Sequence, residues 1–168
     1  RATWLLRFRR GEAPRVPASP EAAADAVDAL GRRARTAGVR VGGAQVRLIG
    51  LSRARQILGG RWTGFQEHVA RVCESTIDHE LAPHDVALTT ETGDYLACFA
   101  CNDDAEADRR ADRLQATIDR RLFGEEAGAL RDTKGGREAL EGMTVEVEAA
   151  VLAPDALAAP DALAERFA

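Results

Sequence analysis

The fold of this chain is decided by one stretch, Val86-Ala87-Leu88-Thr89-Thr90-Glu91-Thr92-Gly93-Asp94-Tyr95-Leu96-Ala97-Cys98-Phe99-Ala100. Two apolar runs flank a short polar centre. Gly93 tolerates a positive φ, and the Thr92 and Asp94 side chains can accept hydrogen bonds from turn amides. The stretch therefore predicts a β-hairpin, with its turn at Glu91 to Asp94.

Helical periodicity and strand alternation surround this hairpin. Apolar residues recur at helical spacing in four segments. We therefore predict helices over Glu21–Ala37, from a cap at Ser52 through Ile57 to the glycines at 59 and 60, over Gly64–Leu81, and from a cap at Asn102, Asp103 or Asp104 to Leu122. Further strands are predicted over Gln45–Leu51 and Thr144–Leu152, and a strand or ordered arm over Ala2–Arg9. The glycine-rich, charged segment from Gly124 to Gly142 predicts a mobile excursion with a helical turn near Arg137 to Leu140.

The order of these elements predicts an α+β fold with an antiparallel or mixed β-sheet covered by helices, of the ferredoxin-like kind. We expect residues 1–40 to form an N-terminal arm and an alanine-rich helix, and residues 41–152 to form the main domain. Residues 153–168 contain Ala-Pro-Asp-Ala-Leu-Ala twice and predict a tail or short helix. The chain starts at Arg1, as expected of a piece excised from a longer polypeptide.

Composition narrows the class of protein. The chain has 168 residues, of which 45% are hydrophobic and 30% charged, a balance typical of a globular domain with its own core. A formal net charge of -4 argues against nucleic acid as a partner. The apolar run Trp4 to Leu6 is too short for a membrane span or a signal peptide, so we expect a cytoplasmic protein.

Cysteine and histidine give little sign of metal or redox chemistry. Cys98 and Cys101 form a CxxC pair, but residues at this spacing on a strand point to opposite faces, which favours buried thiols. With Cys73 the count is three, so one cysteine is unpaired in any disulfide scheme. His68, His79 and His84 lack the paired spacing of a zinc site. We expect neither a metal nor another cofactor.

The segment from Gln45 to Leu122 resembles the GGDEF diguanylate cyclase domain, a nucleotidyl cyclase palm. The resemblance lies in the order of elements and in the run from Leu81 through Ala-Pro-His-Asp85-Val-Ala87 into the hairpin. It implies that the family's signature turn corresponds to Glu91, Thr92, Gly93, Asp94 and Tyr95. An active member of the family uses metal ions to neutralise triphosphate charge and to align an attacking hydroxyl.

The matching positions depart from the catalytic pattern. The family's acidic metal ligand at the end of the first strand falls at Gly50 and Ser52, and the basic residue and asparagine that follow it fall at Arg55 and Leu58. The turn lacks the leading glycine pair and has Gly93 in place of the first acid.

One retained acid supplies too little of the metal site. Asp94 is that acid. The arginine of the family's product-inhibition motif falls at Ala82, while its aspartate is kept at Asp85. Glu91 to Asp94 also has a purely structural interpretation, since these residue types are ordinary in a hairpin turn.

These departures predict a catalytically inactive GGDEF-like regulatory or protein-interaction module in bacterial signalling, and catalysis is disfavoured. We expect a protein partner or a flanking domain, and at most weak contact with a nucleotide or cyclic dinucleotide. Two alternatives remain open. One is a divergent nucleotide-binding or nucleotidyl-transfer enzyme that uses Glu91, Asp94 and a residue between Gly124 and Gly142. The other is a homodimerisation domain built on Val27 and Leu30 of the alanine-rich helix.

Overall fold

The two apolar runs around the polar centre form an antiparallel strand pair in the computed structural model, which describes residues 5–7, 20–89, 94–124 and 127–152. Strand β3 is Val86–Thr89 and strand β4 is Tyr95–Cys101. Their register runs from Thr89 opposite Tyr95 to Val86 opposite Cys98. The predicted hairpin strands are confirmed, while Glu91, Thr92 and Gly93 of the predicted turn lie outside the described residues.

The described residues contain five strands in one antiparallel sheet. The other three are β1 (Leu5–Arg7), β2 (Arg40–Ile49) and β5 (Thr144–Leu152), and the order across the sheet is β1-β3-β4-β2-β5. β2 is an interior strand and pairs with β4 on one side and β5 on the other. The last four strands and their connecting helices follow the β-α-β-β-α-β order of ferredoxin-like folds. The α+β prediction is confirmed, and the sheet is antiparallel.

Six helices occur in the described part of the chain. They are α1 (Pro20–Ala37), α2 (Leu51–Leu58), α3 (Trp62–Glu80), α4 (Asp104–Phe123), α5 (Gly128–Arg131) and α6 (Gly136–Glu141), with a 3-10 turn at Gly59–Arg61 between α2 and α3. Asp103 caps α4 by accepting a hydrogen bond from the Glu106 N–H at 2.8 Å. The predicted Ser52 cap is wrong, because α2 begins after Gly50 and no side chain bonds to its first turn.

Each face of the sheet is covered by helices. Helices α2, α3, α4 and α6 supply the larger core on one face, where Phe65, Ile77 and Ile118 pack against Val46 and Tyr95 of the sheet. Helix α1 covers part of the other face through a smaller cluster, composed of Val27, Leu30, Ala34, Val41, Val86, Leu88, Leu96, Cys98 and Leu152. Val27 and Leu30 are therefore buried within their own chain, which confirms packing for this helix face and leaves it unavailable to a second copy.

The mobile excursion predicted for Gly124 to Gly142 is wrong over most of its length. Helices α5 and α6 occupy this segment, and Leu130 and Leu140 are buried in the larger core. Helix α6 lies beside α2. The segment is too rich in glycine and charge for an apolar period to be visible, but two leucines are enough to anchor two short helices.

No helix in the described ranges has the length and apolarity needed to cross a membrane.

Candidate functional site

The end of the signature turn lies where β4 begins. Tyr95, the first residue of β4, is only 5% exposed and belongs to the larger core. A side chain packed in this way is unavailable for stacking on a nucleotide base. The geometry therefore favours a packing role for Tyr95 over contact with a ligand.

Asp94 faces a polar side-chain network on β2. The Gln45 amide Nε2 lies 3.5 Å from Asp94 Oδ2, and the Arg47 guanidinium donates to Gln45 Oε1 at 3.2 Å. Gln45 is 8% exposed, so its amide needs polar partners inside the fold. Asp94 thus lies in a polar network on the sheet surface, beside the amide donor of Gln45.

Gly50 is the position that the resemblance to a GGDEF domain assigns to the first metal ligand. Its φ is 92°, in the left-handed region, and it caps the start of α2. A Cβ at this position would lie 2.1 Å from the carbonyl oxygen of Gly142, so an ordinary side chain does not fit. The turn between α6 and β5 therefore fills the space that an acidic side chain would need.

Of the two positions that follow in the GGDEF resemblance, Arg55 keeps the basic residue and Leu58 does not keep the asparagine. Arg55 is exposed on α2, whereas Leu58 is 2% exposed and packed in the core, where the family has an asparagine. Gly59 ends α2 with a φ of 53°, as a helix-ending glycine does. Trp62 is half-buried and stacks on Phe65 at a centroid distance of 6.2 Å.

Among the residues that the structure describes, no three His, Cys, Asp or Glu side chains lie close enough to hold a metal ion. The three cysteines are buried and unpaired with one another. Cys98 packs with α1 and Cys101 with α4, which confirms that their side chains point to opposite faces. Burial raises the pKa of the Cys73 and Cys98 thiols from 9.0 to about 12, so neither is a reactive nucleophile.

Asp85, which the resemblance assigns to the aspartate of the product-inhibition motif, is hydrogen-bonded to residues of its own chain. Its Oδ2 accepts hydrogen bonds from the Ala82 N–H at 2.8 Å and from the Arg110 guanidinium at 2.6 Å. The Arg110 guanidinium also lies over the Phe99 ring, 3.9 Å from its centroid. This pair joins the turn before β3 to helix α4.

A groove lies beside this ion pair. It has a volume of about 1080 Å³ and runs between the end of α3 and the first half of α4. Arg113 Nε contacts Glu80 Oε2 at 2.8 Å on one wall, and Arg109 and Asp112 line it without an ion pair in the described residues. The groove therefore presents both signs of charge, in a form suited to a polypeptide surface.

The groove could not be predicted from the sequence, because its walls come from α3, the turn before β3 and α4. The charged residues of α4 are those expected of a solvated helix face. The cluster Arg109, Arg110 and Arg113 was the available signal, since these residues share one side of the helix. Their carboxylate partners lie on other elements and could not be paired without the fold.

A search against protein-family models found no match to this chain, and neither did a search of curated proteins.

Proposed function

We propose that this domain is a catalytically inactive GGDEF-like module that acts through protein contact in bacterial signalling. The observation that carries the proposal is Gly50, where the left-handed backbone and the Gly142 carbonyl exclude the first acidic metal ligand. A cyclase of this family depends on that acid to hold a divalent ion against triphosphate. The remaining acid, Asp94, lies next to the Gln45 amide.

The groove between α3 and α4 supports the protein-contact part of the proposal. Two of its arginines are held in place by Asp85 and Glu80, and such fixed charges favour specific contact over loose attraction. The acids and bases lining the groove are mixed, which suits a polar polypeptide better than a polyanion. Reduced, buried thiols fit a module that works in the cytoplasm.

Synthesis of cyclic dinucleotide is the activity to test. Purified protein is incubated with GTP and magnesium or manganese ions, with an active GGDEF enzyme as the positive control, and products are separated by chromatography. We expect no product from the wild type or from Asp94→Ala. Turnover by the wild type that disappears in Asp94→Ala would overturn the proposal.

A further inference from the structure

The outer edge of β5 is an unpaired strand edge within residues 5–7, 20–89, 94–124 and 127–152. All nine residues of β5 are in register with β2 on one side, and the strand is last in the sheet order. At about 3.3 Å per residue it extends for about 30 Å. Such an edge offers backbone N–H and C=O groups that can pair with an added strand.

The alternation of the ladder identifies the backbone groups that face outward. The Val147 N–H donates to Gln115 Oε1 of α4 at 3.1 Å, so it points away from β2. In an antiparallel ladder every second residue has the same direction, and the N–H and C=O groups of Val145, Ala149 and Val151 therefore point outward too. Gln115 occupies one outward donor, and within the described ranges no other side chain bonds to these outward groups.

The negative charge of this edge favours a basic partner. Glu146 and Glu148 are exposed on the same face of β5. Arg47 lies opposite Glu146 on β2, but its guanidinium donates to Gln45. A second copy of β5 paired about Val147 would bring Glu146 opposite Glu148, and like charges directly opposite destabilise a strand pair.

We propose that the β5 edge binds an extended polypeptide segment with basic side chains at alternate positions, which adds to the sheet as a further strand. Its main chain pairs with the outward groups of β5, and its basic side chains lie opposite Glu146 and Glu148. This inference rests on the protein-contact role proposed above and specifies the chemistry of the partner. The mixed-charge groove between α3 and α4 is on a different element and is not required for it.

The probe is a fluorescent, end-capped peptide of about seven residues that alternates lysine and valine. Two further peptides serve as controls. One has the same sequence with N-methyl groups on the amides that would pair with β5, and the other has glutamate in place of every lysine. Fluorescence anisotropy against the whole chain gives the affinities, and a parallel thermal titration with magnesium-GTP reports separately on the proposed lack of a nucleotide site.

Charge reversal locates the binding site on the protein. The double variant Glu146→Lys with Glu148→Lys is compared with Glu67→Lys with Glu141→Lys, which changes net charge equally at exposed positions on α3 and α6. We expect the β5 variant to lose lysine-peptide affinity by about tenfold and to gain binding of the glutamate peptide. The control variant should keep the wild-type preference. Gln115→Ala should bind the lysine peptide more tightly, because the Val147 N–H is then available.

Three results would overturn the proposal: no saturable binding of the lysine peptide, equal binding of the N-methylated peptide, or equal loss in the control variant. Any of these results with no response to magnesium-GTP would defeat the strand-addition inference and leave the inactive-module proposal standing. A magnesium-dependent response to GTP would instead count against the inactive module.

Discussion

At the scale of single residues, the backbone at Gly50 leaves no room for a side chain where the GGDEF resemblance expects an acidic metal ligand. Its identity is visible in the sequence as a missing acid, but its conformation is not. A glycine in an apolar strand end has many structural uses, and only the backbone reveals a left-handed φ against the Gly142 carbonyl. The sequence thus shows that an acid is missing here, and the structure shows why an ordinary side chain does not fit.

Gly50→Ala should lower the free energy of unfolding by at least about 3 kcal/mol, because the new Cβ combines backbone strain with overlap of the Gly142 oxygen. Gly64→Ala is the matched control, since it lies in α3 with nothing within 4 Å of a Cβ. That control should be neutral or stabilising by up to about 1 kcal/mol. Urea denaturation measures both, and equal stabilities of the two variants would contradict the account of Gly50.

Asp85 and Arg110 form the most buried ion pair among the described residues, with side chains that are 6% and 19% exposed. Arg110→Met should cost about 2 to 4 kcal/mol in unfolding free energy, because it leaves a nearly buried carboxylate with only the Ala82 N–H as a partner. Arg113→Met on the same helix breaks an exposed pair with Glu80 and should cost less than about 1 kcal/mol. A larger loss in Arg113→Met, again by urea denaturation, would reverse this ranking.

The buried thiols make stability depend on alkaline pH. The pKa of Cys73 and of Cys98 is raised from 9.0 to about 12 by burial, so the unfolded chain loses these protons first. Their contribution is complete below pH 9 and disappears as pH rises from 9 to 12. We expect the stability of the wild type to fall over this range, and less steeply in Cys98→Ala. Thiol reagents at pH 8 should label Cys98 only on unfolding, and rapid labelling of the folded protein would contradict this result.

At the scale of elements, helices and strands were predicted where their apolar residues recur at a regular spacing. The β3–β4 hairpin, α1, α4 and β5 each have a regular pattern, and all were predicted. Helices α5 and α6 have at most six residues each, and their glycines and charges hide the two leucines that anchor them. A period needs two or more turns to be recognised, so this part was predicted as mobile apart from a helical turn near Arg137 to Leu140, which α6 confirms.

Leu140→Ala tests whether α6 is an integral part of the fold. Leu140 is 5% exposed and packs in the larger core, so its truncation should cost about 2 to 4 kcal/mol in unfolding free energy. Glu141→Ala, the next residue along and exposed, should change stability by less than about 0.5 kcal/mol. If thermal denaturation finds the two variants alike, α6 does not contribute to the core as described.

At the scale of the whole molecule, the fold class could be predicted because the order of strands and helices restricts the topology. The groove could not, because its ion pairs join residues far apart in sequence, such as Asp85 with Arg110. The β5 edge could not be predicted either, because the sequence of a strand does not determine its position in the sheet. Of the predicted signature turn, Asp94 lies beside the Gln45 amide and Tyr95 packs in the larger core. Glu91 to Gly93 lie outside the described residues.

A thermal-shift titration of the purified chain with GTP, ATP and cyclic di-GMP tests most directly the proposal that the domain has no working nucleotide site. Each ligand is used with and without magnesium, because a ligand that binds the folded state raises its melting temperature in a saturable manner. We predict no magnesium-dependent shift at millimolar nucleotide, in the wild type or in Asp94→Ala. A saturable, magnesium-dependent rise in melting temperature with GTP that is lost in Asp94→Ala would contradict the account and identify a functional nucleotide site.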